Sequence, residues 1–272
     1  MTFKKVCKSA LVLSVILGLT ACVSNHRGNN ASQRYTLNKT ALSPEKIEVS
    51  EKLYNSTGNY ASLVSLYRTV LENTNNKKSE TYNGYLYKLV KAYFDEGDYT
   101  SALLYVKPLL TNPQFRERGL LVQLRSLVQL QQYNEALTVA KTLISQYPNN
   151  AQAYNSQGIA YAQLGYLRKA SQSFNTARTY FLNDTIALNN LAMISILEGN
   201  YSNAVRLLLP QYLNGQHDQR LLYNLVFALV KSGDIPYAQK VIERENMNTN
   251  PDELINALKN TTRTSNNIMP TM

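Results

Sequence analysis

The sequence predicts an all-α fold, a right-handed α-solenoid of about six helix–turn–helix repeats closed by a C-terminal capping helix. Three observations predict it. Alanines recur at Ala102, Ala136, Ala170, Ala204 and Ala238, each 34 residues after the last. Gly97, Gly165, Gly199 and Gly233 stand five residues before their alanines, with Gln131 in that place once. Segments such as "YLYKLVKAYF" and "LNNLAMISIL" lead into these turns with apolar residues at helical spacing. A non-repetitive bundle gives no reason for such a register.

The first element is residues 1–21. Lys4, Lys5 and Lys8 precede an apolar run, Ala10 to Ala21, of 12 residues. A helix crossing the hydrocarbon core needs about 20. A charged start, a short apolar middle and a small-residue exit make a secretory signal. The exit, Leu19-Thr20-Ala21-Cys22, resembles a bacterial lipobox. That resemblance implies a diacylglycerol on the Cys22 sulfur, removal of the peptide before it and an N-acyl chain on the new amino group. The alternative is an ordinary cleaved signal with an incidental Cys. Several acyl chains make a stable anchor, since each buried CH₂ contributes about 0.8 kcal/mol. Cys7 leaves with the leader and Cys22 is consumed by lipid, so no thiol remains for a disulfide or a metal. Val23 and Ser24 follow; an Asp there would resemble an inner-membrane retention signal. Its absence points to the periplasmic face of the outer membrane in a Gram-negative bacterium.

Residues 22–43 form the second element. Beyond Cys22 they are rich in Asn, Ser, Arg and Thr and show no apolar period, as expected of a flexible tether. A chain of that length spans about 25 Å root-mean-square.

The repeats occupy 44–260. The first, 44–77, carries "STGNYASLVSLY" with Leu63 in place of the alanine, and a polar insert, "NTNNKKSE", then breaks the register. Five more lie at 83–116, 117–150, 151–184, 185–218 and 219–252. Their turns read "EGDYTSAL", "LQQYNEAL", "LGYLRKAS", "EGNYSNAV" and "SGDIPYAQ". Glycine ends the first helix in a left-handed turn at little steric cost. The alanine is small because the second helix crosses the first there at close range. Tyr99, Tyr133, Leu167, Tyr201 or Ile235 plugs the turn. Asn112-Pro113 and Pro148-Asn149-Asn150 mark repeat boundaries. Asn250-Pro251 opens "DELINALK", a helix at 251–260 that caps the apolar edge of the stack. Residues 261–272 are expected to be a disordered tail. A 34-residue period of two helices and a turn is the tetratricopeptide signature.

Composition bounds the partners. The formal net charge is +10, of which the three leader lysines contribute +3. Lys and Arg are scattered, with no run longer than Lys77-Lys78, so nucleic acid is not expected as a partner. Twenty Tyr and no Trp suggest a Tyr-packed helical core. Chemistry is absent from the text: there is no phosphate-binding Gly loop, no H-E-x-x-H and no G-x-S-x-G. His26 and His217 lack a spaced partner, and Asp95, Glu96 and Asp98 flank a turn glycine as solvated residues usually do. The chain is not expected to be an enzyme or to hold a cofactor or metal.

What remains is binding. A solenoid of this kind presents a concave groove lined by the first helix of each repeat. Family positions mapped onto this sequence place Tyr87, Lys91, Arg118, Leu121, Arg125, Asn155, Ile159, Asn189, Met193, Ile196, Tyr223 and Phe227 there. The early part, with Lys91, Arg118 and Arg125, is basic. The later part is apolar, beside the amides of Asn155 and Asn189. Such a groove suits an amphipathic helix or extended peptide, with Asn bonding its backbone and Met adapting to its shape. The other reading makes Met193 and Phe227 core residues between repeats.

A lipobox, a polar tether and about six repeats resemble the TadD lipoproteins of the tight-adherence (Flp) pilus system. They are also similar to pilotins of type IV pilus secretins. The resemblance implies an outer-membrane lipoprotein that helps a secretin subunit reach the outer membrane and oligomerise. The rival is an NlpI-like adaptor lipoprotein that scaffolds peptidoglycan hydrolases.

Overall fold

The computed structural model describes residues 42–261. The leader, Cys22, most of the tether and the tail beyond Thr261 lie outside the described residues. Contacts gather into two compact units divided between Leu182 and Asn183.

The first unit holds four hairpins: α1 (Pro44–Ser56) with α2 (Tyr60–Glu72), α3 (Glu80–Glu96) with α4 (Tyr99–Tyr105), α5 (Arg116–Gln129) with α6 (Tyr133–Gln146), and α7 (Ala151–Gln163) with α8 (Leu167–Thr179). The second holds α9 (Asp184–Leu197) with α10 (Tyr201–Leu213), α11 (Gln219–Ser232) with α12 (Ile235–Arg244), and α13 (Pro251–Asn260). The fold is therefore all-α, an array of consecutive hairpins with a last single helix.

The turn chemistry follows the repeat. Gly97 and Gly233 end α3 and α11 at φ 92° and 94°, in the left-handed region. Gln131 stands in the same place at φ 60°, a side chain accepting a conformation that glycine adopts freely. Five residues on, Ala102, Ala136, Ala170, Ala204 and Ala238 are completely buried. Leu63, their counterpart in the first hairpin, is buried as well. A very close crossing lies between α7 and α8. A methyl group added at Gly158 would fall 2.6 Å from Cε1 of Phe174, a ring that is itself buried.

In the first unit, Leu63, Leu66 and Tyr67 of α2 pack on Leu86, Leu89, Val90 and Tyr93 of α3. A second cluster joins Leu120, Leu124 and Leu127 of α5 to Ala136, Ala140 and Leu143 of α6 and Ala153 and Ala160 of α7. Tyrosine is concentrated at seams more than in the core. Tyr93 stacks on Tyr105 with centroids 5.3 Å apart, and Arg68 Nη2 donates to the Tyr105 hydroxyl at 3.1 Å. Burial, then the nearby Glu51 charge, pushes the Tyr67 hydroxyl well above its usual range.

One repeat departs from the expected regularity. The second helix of 83–116 stops at Tyr105 and continues as a 3-10 turn, Lys107–Thr111. Pro108 is the cause: it has no N–H to give to a carbonyl four residues back, and its ring crowds that carbonyl. The tighter turn still buries Val106 and Leu109, with Leu109 N–H donating to Val106 O at 2.9 Å.

In the second unit, Leu208 and Tyr212 of α10, Leu221, Leu225 and Leu229 of α11, and Val241 and Ile242 of α12 form one core, and Ile255 of α13 completes it. The capping helix is also held at its end. Lys231 Nζ donates to the carbonyls of Lys259 at 3.0 Å and Thr261 at 2.6 Å, satisfying acceptors that a helix C-terminus leaves open. Thr261, the last described residue, thus contributes an acceptor to the capped end of α13.

His217 is a correction to the sequence reading. It has a partner, though a distant one in the chain. Its Nδ1 lies 3.0 Å from Oε2 of Glu245, and its ring meets Tyr212 edge-on at 5.1 Å. The Tyr212 hydroxyl donates to Glu245 Oε1 at 2.9 Å. Burial pushes the Glu245 carboxyl up, but the hydrogen bonds from Tyr212 and His217, with the charges of His217 and Arg244, outweigh it and hold the group below its ordinary range. Burial and the same carboxylate push Tyr212 up to about 12.

Two measurements test this packing. Gly158→Ala lowers stability by about 1–3 kcal/mol through overpacking, read as a reduced urea midpoint, and Phe174→Leu in the same chain recovers part of the loss. Glu245→Gln lowers stability by about 1 kcal/mol at neutral pH. Because the folded carboxyl titrates below the ordinary value of 4.5, its contribution is complete above that value and fades as pH falls through the folded one. The gap between the two proteins' urea midpoints therefore narrows from pH 7 toward pH 3.

Candidate functional site

The first helices of successive hairpins pack side by side: α3 on α5 and α5 on α7 in the first unit, α9 on α11 in the second. Their remaining faces carry the residues that the sequence singles out, and each unit presents its own set.

In the first unit, Tyr87 and Lys91 lie on α3, Arg118, Leu121 and Arg125 on α5, and Asn155 and Ile159 on α7. Lys91, Arg118 and Arg125 are exposed, and the other four are half-buried. Lys91 is not a free cation: it pairs with Asp95 one turn on. The two arginines are organised by aromatic rings. Arg118 lies over Tyr87 at 5.8 Å and Arg125 over Phe94 at 4.4 Å. Tyr87 in turn leans on Phe115, with centroids 6.2 Å apart. Phe94 and Phe115 are ring neighbours of these residues that position-by-position mapping misses. The usable signal is the spacing, because Tyr87 to Phe94 and Arg118 to Arg125 are both two helical turns.

In the second unit, Asn189, Met193 and Ile196 lie on α9, and Tyr223 and Phe227 on α11. Met193, Ile196 and Phe227 are half-buried, and Tyr223 is 45% exposed. Phe227 meets Tyr201 edge-on at 6.1 Å and lies beneath Lys231 Nζ at 5.9 Å. Asn189 is placed otherwise than a ligand-facing amide would be. It is buried, and its Oδ1 accepts from Asn224 Nδ2 at 3.0 Å, a polar tie between α9 and α11. Asn224 has no signal in the sequence, because the pairing depends on the register between hairpins.

Two carboxylates at the α3–α4 turn, Asp95 in its pair with Lys91 and Asp98, have structural roles. Asp98 caps α4 by accepting from Ser101 N–H at 2.9 Å. Hydrogen bonds from the Ser101 hydroxyl and N–H hold its carboxyl below the usual range. Among the described residues no group of three His, Cys, Asp or Glu comes together to hold a metal. No helix among them is long and apolar enough to cross a membrane.

Comparison with known proteins agrees with this geometry. Residues 121–178, within α5 to α8, match the TPR_16 family model, described as tetratricopeptide repeat. No curated protein matches the chain. A crystal structure of a tetratricopeptide repeat protein from Parabacteroides merdae ATCC 43184 is 18% identical and superposes with a TM-score of 0.60, covering 79% of this chain and 83% of that one. A thermophilic repeat protein from Thermus thermophilus is 23% identical, with a TM-score of 0.54 over 68% of this chain and 97% of its own. MamA from Desulfovibrio magneticus RS-1 is 18% identical, with a TM-score of 0.50 over 63% and 97%. At these identities the likeness is one of fold. With the 34-residue period, the left-handed turns and the buried alanines, it shows a tetratricopeptide-repeat fold.

Proposed function

We propose that this protein is an outer-membrane lipoprotein whose repeats hold a segment of a secretin subunit and so support assembly of a tight-adherence (Flp) pilus, as a pilotin. The observation that carries this reading is the order of parts along the chain. A signal-like leader ends in Leu19-Thr20-Ala21-Cys22, a polar stretch follows, and the repeat array occupies nearly all the rest. Repeat arrays of this kind present extended faces that suit the binding of other polypeptides.

The division of labour is physical. Acyl chains on Cys22 supply membrane affinity. The helix faces supply recognition, with Met193, Ile196, Tyr223 and Phe227 offering half-exposed apolar surface to an amphipathic helix or extended segment. Joining the two by a tether raises the local concentration of the held subunit at the membrane without any new contact.

Cys22→Ser leaves the folded array intact but moves the secretin away from the outer membrane, read by fractionation of cells; unchanged secretin localisation overturns the pilotin role. Met193→Glu combined with Phe227→Glu abolishes the secretin adduct in crosslinked cells, with helicity retained by circular dichroism. An adduct to a peptidoglycan hydrolase in place of the secretin would transfer the reading to an adaptor lipoprotein.

A further inference from the structure

We infer that the α3–α5 face of the first unit is a receptor for an acidic, extended stretch of polypeptide carrying two carboxylates three residues apart. The inference rests on the partner-binding reading above and names the chemistry of what this face takes.

An arginine guanidinium set over an aromatic ring still has N–H groups to offer a ligand, and the ring contact restricts where it sits. That is the arrangement suited to gripping a carboxylate through two parallel hydrogen bonds. The first unit has this arrangement twice in register. Arg118 lies over Tyr87 and Arg125 over Phe94, each pair joining α5 to α3. Neither guanidinium has a carboxylate partner among the described residues, and both side chains are exposed. The nearby Asp95 does not supply one, because Lys91 already pairs with it. Leu121, half-buried between the two arginines on the same side of α5, gives the face an apolar floor.

Spacing selects the ligand. Seven residues of α-helix rise about 10 Å, so the two forks stand about that far apart along α5. A polyproline II segment repeats every three residues and rises about 3.1 Å per residue, which puts acidic side chains at i and i+3 on one side about 9 Å apart. In a β-strand, side chains three apart point to opposite faces. An anionic membrane would also attract the arginines, but it offers no reason for two pre-set, ring-backed forks at this interval. The favoured occupant is therefore an acidic protein segment.

The test uses the purified chain from Cys22 onward and a fluorescent peptide, acetylated and amidated, with Glu-Pro-Val-Glu at its centre. The matched peptide has Gln-Pro-Val-Gln. The glutamate peptide is expected to bind at least tenfold tighter than the glutamine peptide at about 0.15 M salt. R118Q with R125Q is expected to remove that preference. R118K with R125K keeps the charge, loses the planar fork and is expected to weaken binding severalfold; it also serves if the glutamine variant does not fold. Equal binding of the two peptides, or a preference that survives in R118Q/R125Q, overturns the proposal. So does binding confined to phosphatidylglycerol vesicles. The in-cell secretin adduct reports separately on the partner-binding reading: its persistence alongside a failed peptide titration removes only the acidic ligand.

Discussion

Every hairpin after the first depends on the near-absence of a side chain where its two helices cross. A methyl group fills the space at Ala102, Ala136, Ala170, Ala204 and Ala238, all of them sealed from solvent. In α7 even a methyl group is too much at Gly158, where the ring of Phe174 already occupies the position. This close approach fixes the angle between paired helices. The left-handed turn that precedes it fixes where the second helix starts. Together they leave one side of α3, α5 and α9 to meet α5, α7 and α11, and the remaining faces carry most of the residues that the sequence singles out.

The repeated residues were therefore the legible ones. Alanines and glycines at a constant interval report a constraint that recurs in each hairpin, so the all-α hairpin array could be read from spacing alone. Pro108 was equally present in the text. It breaks the second helix of its repeat for an ordinary local reason, and only the regularity of its neighbours hid that effect. Asn112 closes the 3-10 turn before Pro113, and Asn250 caps α13 with Pro251 in its first turn, where a proline's missing N–H costs nothing.

Contacts between hairpins were harder to read. His217 meets Glu245 and Asn189 meets Asn224 across intervals set by how one hairpin docks on another. The family mapping placed Asn189 on a binding face, whereas burial and its amide partner make it a tie between α9 and α11. The arginines show the opposite case. The sequence shows only that Arg118 and Arg125 are basic, whereas the register of α3 against α5 sets them over Tyr87 and Phe94.

The lysine that clasps the final helix has a consequence for how the second unit comes apart. In a linear array each segment leans only on its neighbours, so opening starts at an end where fewer contacts must break at once. Lys231 ties the trailing carbonyls of the last helix to the body of α11 and lies across Phe227 as it does so. Unravelling from that terminus must first surrender both the clasp and the buried Ile255. The C-terminal edge is thereby braced against fraying, a ratchet-like polarity that a single side chain confers on an otherwise repetitive architecture.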